Sequence, residues 1–225
     1  MTLSKVAERH LFRIFLSAGF GGRKTIPIMS GPLKGWRLPK STALANLSMI
    51  FGRYESHVIR ELFSLSKSMK VAYDIGAHIG FMTLALAHYV GRNGKVFAFE
   101  PQPDNLLLLE RMILKNDFLQ VVKIVPVALG NIAGKQTMYF GKSSSMNFLE
   151  SATEGQDIRD YPSITVTTST LDAFVFEEEN PAPDILKIDV EGAETMVIEG
   201  AMQTLKKFSP KFSHNLRGIR CRLIS

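Results

Sequence analysis

From residue 71 onward, short apolar runs alternate with segments of helical periodicity, and this alternation constrains the fold more than any other feature of the chain. VAYDI at 71–75, KVFAF at 95–99 and the run near 121–127 are short and almost continuously apolar, as buried strands are. Between them lie stretches with helical spacing, from about Ile79 to Val90 and from about Pro103 to Lys115. Gly91 stands where a left-handed helix stop is expected, Asn93-Gly94 suits the following turn, and Asn116 is expected to stop the second helix as Gly91 stops the first. The series reads βαβαβ. Strands covered on both faces and separated by helices imply an α/β fold with a doubly wound, mostly parallel sheet.

The rest of the chain fits around that series. QTMYF at 136–140 and ITVTTST at 164–170 flank a polar loop from Ser143 to Tyr161 and read as an antiparallel insertion or edge. A short helix at 170–176, DILKID at 184–189 and a helix from about Ala193 resume the alternation. Upstream, residues 1–20 set Val6, Leu11, Ile14 and Phe15 at helical spacing. Residues 19–39, rich in Gly and Pro, read as loops with extended pieces around Ile26 and Trp36. A helix over 55–69 puts Val58, Ile59, Leu62, Phe63 and Leu65 on one stripe. The expected organisation is an N-terminal helical and loop annex over 1–69, a ligand-binding domain over 70–210 and a divergent basic tail over 211–225.

Composition narrows the function classes. With 225 residues, 45% of them apolar and 21% charged, the chain can bury a sizeable core without disulfide staples. The single cysteine, Cys221, has no internal partner, and no Cys/His cluster has zinc-ligand spacing, so a reducing, cytoplasmic setting and no metal are expected. No apolar run near the N-terminus is long enough to span a bilayer. Net charge is +9 over residues 1–70, −9 over 71–205 and +6 over 206–225. Basic ends on an acidic body allow peripheral contact with an anionic surface. Nucleic acid is not the expected partner, because no helix-turn-helix, zinc-finger or aromatic ribonucleoprotein motif accompanies the charge.

Ligands of open parallel sheets sit outside the carboxyl ends of the strands, so the residues just after each strand carry the chemistry. After the first comes Asp74-Ile75-Gly76-Ala77-His78-Ile79-Gly80. Gly76 would let a ligand approach the backbone, Gly80 would let the helix pack on the strand, and open amides at the helix start could donate. Glu100 ends the next strand, where a carboxylate can accept from both hydroxyls of a ribose. The pyrophosphate turn G-x-G-x-x-G of a dinucleotide site is absent, and Asp74 would repel a diphosphate but suit a cationic ligand such as S-adenosylmethionine. Taken alone, Asp74 could be a helix-capping acid, a reading that Glu100 at the next strand tip makes the weaker one. After the fourth strand, Asp189, Glu191 and Glu194 crowd the same end. Stabilisation of a helix start would account for Glu191 and Glu194 but poorly for Asp189.

These segments resemble a known family. VAYDIGAHIGFMTLAL at 71–86, FAFEPQPDNLLLLERMILKN at 97–116, VALGNIAG at 127–134, STLDAF at 169–174 and LKIDVEGAETMVIEGA at 186–201 look like the FkbM-type class I S-adenosylmethionine-dependent methyltransferases. GRYESHVIREL at 52–62 is similar to the family's entry segment, with Tyr54-Glu55 in place of its Tyr-Glu pair. The resemblance spans roughly residues 50–205. It implies a Rossmann-like fold, S-adenosylmethionine as cofactor, and O-methylation of a sugar, polyketide or related small-molecule or glycan hydroxyl. It also implies cofactor contacts at Glu55, Asp74, Gly76, His78, Gly80, Glu100 and Ala128, with Asp189 and Glu191 beside the transferred methyl group and the acceptor.

Two departures from the family pattern stand out. His78 replaces the asparagine usual in the family's D-I-G-A-N-I-G loop. After Pro210, where the family continues into an apolar strand, KFSHNLRGIRCRLIS has no run of four apolar residues. The expectation is that residues 211–225 stay out of the sheet, leaving the strand at 184–189 beside an exposed edge. The competing function is therefore a truncated, non-catalytic relative that acts as a nucleoside-binding or interaction protein. His10, His57 and His88 have no partners at metal-ligand spacing, and no serine stands in a G-x-S-x-G elbow.

Overall fold

The computed structural model describes residues 14, 18, 19, 22, 24–64, 68–140, 148–152, 160–190 and 192–212. Two compact units divide the chain, Met1–His57 and Val58–Ser225. In the first, β1 (Thr25–Pro27) pairs antiparallel with β2 (Arg37–Pro39), followed by α1 (Lys40–Ala45) and α2 (Leu47–Ile50). The extended pieces expected near Ile26 and Trp36 are these two strands. The Asn46 side chain caps α2 by accepting from the Ser48 amide at 3.1 Å. Helix α3 (Ser56–Ser64) buries Val58, Ile59 and Leu62 of the stripe read from the sequence, with Phe63 half-buried and Leu65 outside the described residues. Most of the helix expected over 1–20 lies outside the described residues. No helix among the described residues is long and apolar enough to cross a membrane.

The second unit is built on β3 (Val71–Ile75), α4 (Phe81–Val90), β4 (Lys95–Phe99), α5 (Pro103–Lys115) and β5 (Val122–Val125). A smaller sheet follows, made of β6 (Ala128–Leu129), β7 (Gly134–Tyr139), β8 (Phe148–Leu149) and β9 (Ser163–Ser169). A wide helical turn at Ala173–Glu177 leads to β10 (Ile185–Ile188), α6 (Glu194–Glu199), α7 (Met202–Phe208) and β11 (Lys211–Phe212). The main sheet runs β11-β10-β3-β4-β5 with every pairing parallel. This is the doubly wound, Rossmann-like α/β sheet expected from the alternation. Its centre is aromatic. Phe174, from the wide turn, meets the rings of Phe99 at 4.9 Å and Tyr73 at 5.6 Å edge-on, a geometry that matches ring quadrupoles. Tyr73 satisfies its buried hydroxyl by donating to the Pro181 carbonyl at 2.7 Å, and burial, with the nearby Glu178 charge, pushes that phenol well above its ordinary value.

Two expectations need correction. Gly91 does take a positive φ of 74° at the end of α4, but Asn116 does not do so after α5. The left-handed residue there is Asp117 (φ 60°), while the Asn116 side-chain nitrogen donates back to the Met112 carbonyl at 2.8 Å. The chain also does not leave the sheet after Pro210. Lys211 and Phe212 pair in parallel register with Ile185 and Leu186, and the Lys211 amide donates to the Asp184 carbonyl at 2.8 Å. A parallel edge this short is held by backbone hydrogen bonds, with Phe212 packed against the core, so it needs no apolar run to announce it. Strand β10 is therefore internal. Residues 213–225, the rest of the expected tail, lie outside the described residues.

Helix α7 starts on Ala201 without a capping side chain of its own. The cap comes from Asp172, distant in sequence. Its Oδ2 accepts from the Gln203 amide at 2.9 Å, and its Oδ1 accepts from the amide and hydroxyl of Thr204, both at 2.7 Å. Asp172→Ala should cost about 1–2 kcal/mol, the upper part of the N-cap range because Thr204 is fully buried, and urea unfolding would measure the loss.

Candidate functional site at the carboxyl ends of β3, β4 and β10

Strand β3 has β4 on one side and β10 on the other, reached by connections that wind in opposite directions, so the order reverses at this point. In open α/β sheets the ligand site lies at such a point, outside the carboxyl ends of the strands. Asp74 and Lys187 are directly opposite in the β3–β10 register. Both are almost wholly buried, at 0% and 4% exposure. Lys187 Nζ lies 2.9 Å from Asp74 Oδ1, off the hydrogen-bonding direction, and directs a donor to the Gly76 carbonyl at 2.7 Å. Asp189 Oδ2 is a third neighbour at 3.7 Å. The other Asp74 oxygen accepts from the Thr83 hydroxyl in α4 at 2.6 Å. Asp74 is thus a strand-to-helix brace whose charge Lys187 balances. The carboxylate expected to suit a cationic ligand is wholly buried beneath that brace.

The turn after β3 is tighter than its spacing suggests. The amides of Gly76 and Ala77 both donate to the Phe99 carbonyl, at 3.1 and 2.9 Å, and the Gly80 amide donates to the Ala77 carbonyl at 2.9 Å. The His78 amide donates to Glu100 Oε2 at 2.8 Å. These amides are engaged within the protein, not open to a ligand. The glycines also answer to protein neighbours. A β-carbon on Gly76, at φ 77°, would fall onto the Asp189 carbonyl, and one on Gly80, at φ 89°, onto the Leu109 side chain of α5. Gly76 therefore serves the approach of β10 and Gly80 the packing of α4 on α5.

Glu100 is the hub at the tip of β4. Besides His78, its Oε1 accepts from the Gln102 amide at 3.0 Å and the Asn105 side chain at 3.1 Å. A carboxylate has about four lone-pair sites, so among the described residues three of them are filled and one, on Oε2, is left. Burial pushes its carboxyl above the ordinary range, against the opposing pull of those three hydrogen bonds and of the Lys187 charge. His78 is half-buried with a left-handed backbone (φ 51°), a conformation that the family's asparagine also adopts readily. Burial first, and then Lys187, hold its imidazole below the ordinary value while Asp189 pulls the other way, so it is neutral near pH 7. Asp189 itself is exposed, its amide tied to the Ile75 carbonyl at 3.0 Å.

The structure brings Asp74, Gly76, His78, Gly80, Glu100 and Asp189 to one end of the sheet. Ala128 lies in β6, its side chain in a cluster with Met138, Leu149 and Val166. Glu55 takes a left-handed conformation (φ 47°) just before α3, in the first unit. Glu191 lies outside the described residues. Sequence reasoning missed Lys187 and Asn105. The only signal was a lysine inside an otherwise apolar strand, ILKI, and a polar residue on the inner stripe of α5. Among the described residues no group of three or more His, Cys, Asp or Glu side chains could hold a metal.

Comparison with known proteins finds several similar chains. Hexuronic acid methyltransferase AglP of Haloferax volcanii is 30% identical over 156 residues, covering 68% of this chain and 59% of AglP, so the chain spans about three-fifths of that relative's length. The crystal structure of methyltransferase FkbM from Methylobacillus flagellatus KT aligns at 20% identity and a TM-score of 0.45, over 66% of this chain and 32% of that one. The SAH-bound Podospora anserina methyltransferase PaMTH1 aligns at 11% identity and a TM-score of 0.40, over 94% of this chain and 68% of that one. The profile of the methyltransferase FkbM domain matches residues 74–221, running from the buried aspartate of β3 past β11. Because that match takes in well over half of the sequence, the chain belongs to the FkbM methyltransferase-domain family.

Proposed function

We propose that this chain binds S-adenosylmethionine at the carboxyl ends of β3, β4 and β10 and methylates a hydroxyl oxygen of a saccharide or related small molecule. The observation that carries the reading is Glu100, a buried carboxylate with one acceptor site left, at the strand tip where a nucleoside ribose would lie. A pyrophosphate ligand fits poorly, since the amides of Gly76, Ala77, His78 and Gly80 are engaged within the protein and the carboxylates of Glu100 and Asp189 stand at the same end of the sheet. The cofactor, when bound, supplies an electrophilic methyl group on a positively charged sulfur. Family membership supports that choice, and the name of the Haloferax relative supports a sugar acceptor.

The chain's own residues divide the work. The Gly76–Gly80 turn, braced by Asp74 and Lys187, fixes the floor of the pocket. Glu100 accepts a ribose hydroxyl through Oε2. Asp189, exposed at the end of β10, takes the proton of the acceptor hydroxyl as the methyl group arrives. Aligning donor and acceptor could itself lower the barrier by roughly 7–11 kcal/mol. Isothermal titration with S-adenosylmethionine and S-adenosylhomocysteine is the deciding experiment, and absence of binding at millimolar ligand would defeat the reading.

Two substitutions refine it. Glu100→Gln removes one charge-assisted acceptor, worth about 1.5–3 kcal/mol, so affinity for S-adenosylhomocysteine should fall at least about tenfold. Unchanged affinity with unchanged thermal unfolding would remove Glu100 from the pocket. Asp189→Asn should keep that affinity while slowing methyl transfer about 10²- to 10⁴-fold, measured as S-adenosylhomocysteine released with an acceptor found by saccharide screening. A near-parental rate would take Asp189 out of its role.

A further inference from the structure

The smaller sheet has two unlike faces. Register places Ala128, Met138, Leu149, Ile164 and Val166 on one side, where they form their own apolar cluster. The opposite side carries Lys135, Thr137 and Tyr139 on β7, facing Thr167, Thr165 and Ser163 on β9, with Phe148 of β8 opposite Tyr139. Lys135, Ser163, Thr165 and Thr167 are exposed. At one end the aromatic rings form a ladder, Tyr139 stacked on Phe148 at 6.0 Å and Phe148 edge-on to Tyr161 at 5.7 Å, with Tyr161 itself exposed. The sheet leaves the main sheet at the carboxyl end of β5, the same end at which Glu100 and Asp189 stand.

From this face we infer an acceptor-docking platform for an oligosaccharide that bears a carboxylate. Pyranose rings present a flat array of weakly polarised C–H bonds that packs on aromatic faces, and a rim of hydroxyls that pairs with a row of Ser and Thr hydroxyls. The face has both. Lys135 is the one charged side chain among the described residues of this face, and it complements a sugar carboxylate. A nucleic acid would need several cations here, and a protein partner an apolar centre that the threonine rows do not provide. The inference rests on the saccharide-methylation reading and deepens it by naming the acceptor's chemistry and the surface that holds it.

The test is an amide NMR titration of the full chain with a hyaluronan tetrasaccharide, which carries glucuronate, and with chitotetraose as a neutral control. The expected result is saturable binding with a Kd of about 1 mM and shifts at residues 135–139 and 161–167. Tyr161→Ala should weaken binding about fivefold, and Lys135→Gln should erase the preference over chitotetraose, with parental thermal unfolding in both. No saturable binding of the glucuronate probe, or shifts confined to 76–80 and 100–105 and indifferent to both variants, would overturn the inference. A parallel titration with S-adenosylhomocysteine separates the two ideas. Cofactor binding without saccharide binding refutes only the platform, whereas saccharide binding without cofactor binding refutes the methyltransferase reading.

Discussion

Lys187→Met should destabilise the chain by about 3–5 kcal/mol, the cost of stranding a buried carboxylate. The ammonium lies 2.9 Å from Asp74, which has no exposure to water and, among the described residues, no other cation on its two oxygens. Without it, Asp74 must either stay charged in an apolar interior or take up a proton, and the Gly76 carbonyl loses its donor as well. The double variant Asp74→Leu/Lys187→Met removes both charges together and should recover much of the loss, because two well-packed apolar side chains often replace a buried pair at little cost. Urea midpoints for the parent, the single variant and the double variant would check this. A single variant within about 1 kcal/mol of the parent would show that the pair is hydrated and that the brace is not what holds the turn.

Gly200→Ala should be comparably damaging, although nothing about the residue in isolation suggests it. Its φ is −75°, which any residue adopts, and replacing a glycine beside a helix by alanine usually stabilises by about 0.4–1 kcal/mol. Here an added β-carbon would lie on the Gly130 carbonyl oxygen, backbone that cannot rotate away. The expected cost is about 3 kcal/mol, the upper end of overpacking effects. Gly130→Ala, on the other side of the same contact, meets no atom within 4 Å and should be near neutral. The comparison of the two, by chemical denaturation, tests whether the approach of VALGNIAG to VIEGA is as close as the geometry has it. Asn131 supports the same junction by donating to Glu199 at 2.8 Å.

Both cases show why the sequence pattern reached as far as it did. The strands β3, β4 and β10, the helices α4 and α5, and the placement of Glu100 and Asp189 at strand tips were legible because each depends on periodicity and punctuation within a dozen residues. The antiparallel pairing of β7 with β9 was legible for the same reason, since alternation marks one face. The sequence by itself therefore determined the fold class and most of the residues gathered at the site.

Tertiary structure decided who meets whom. That Lys187 balances Asp74, that Gly76 makes room for the Asp189 carbonyl, and that Asp172 caps a helix beginning some thirty residues later, at Gln203 and Thr204, all depend on which strands and turns become neighbours. The same holds for β11. Two residues carry no periodicity, and their strand exists only because β10 presents backbone groups for them to pair with. Side-chain period records which face of an element is buried, whereas charge balance, close backbone approach and edge pairing are properties of contacts between elements far apart in the chain, and those are set only when the sheet order is set.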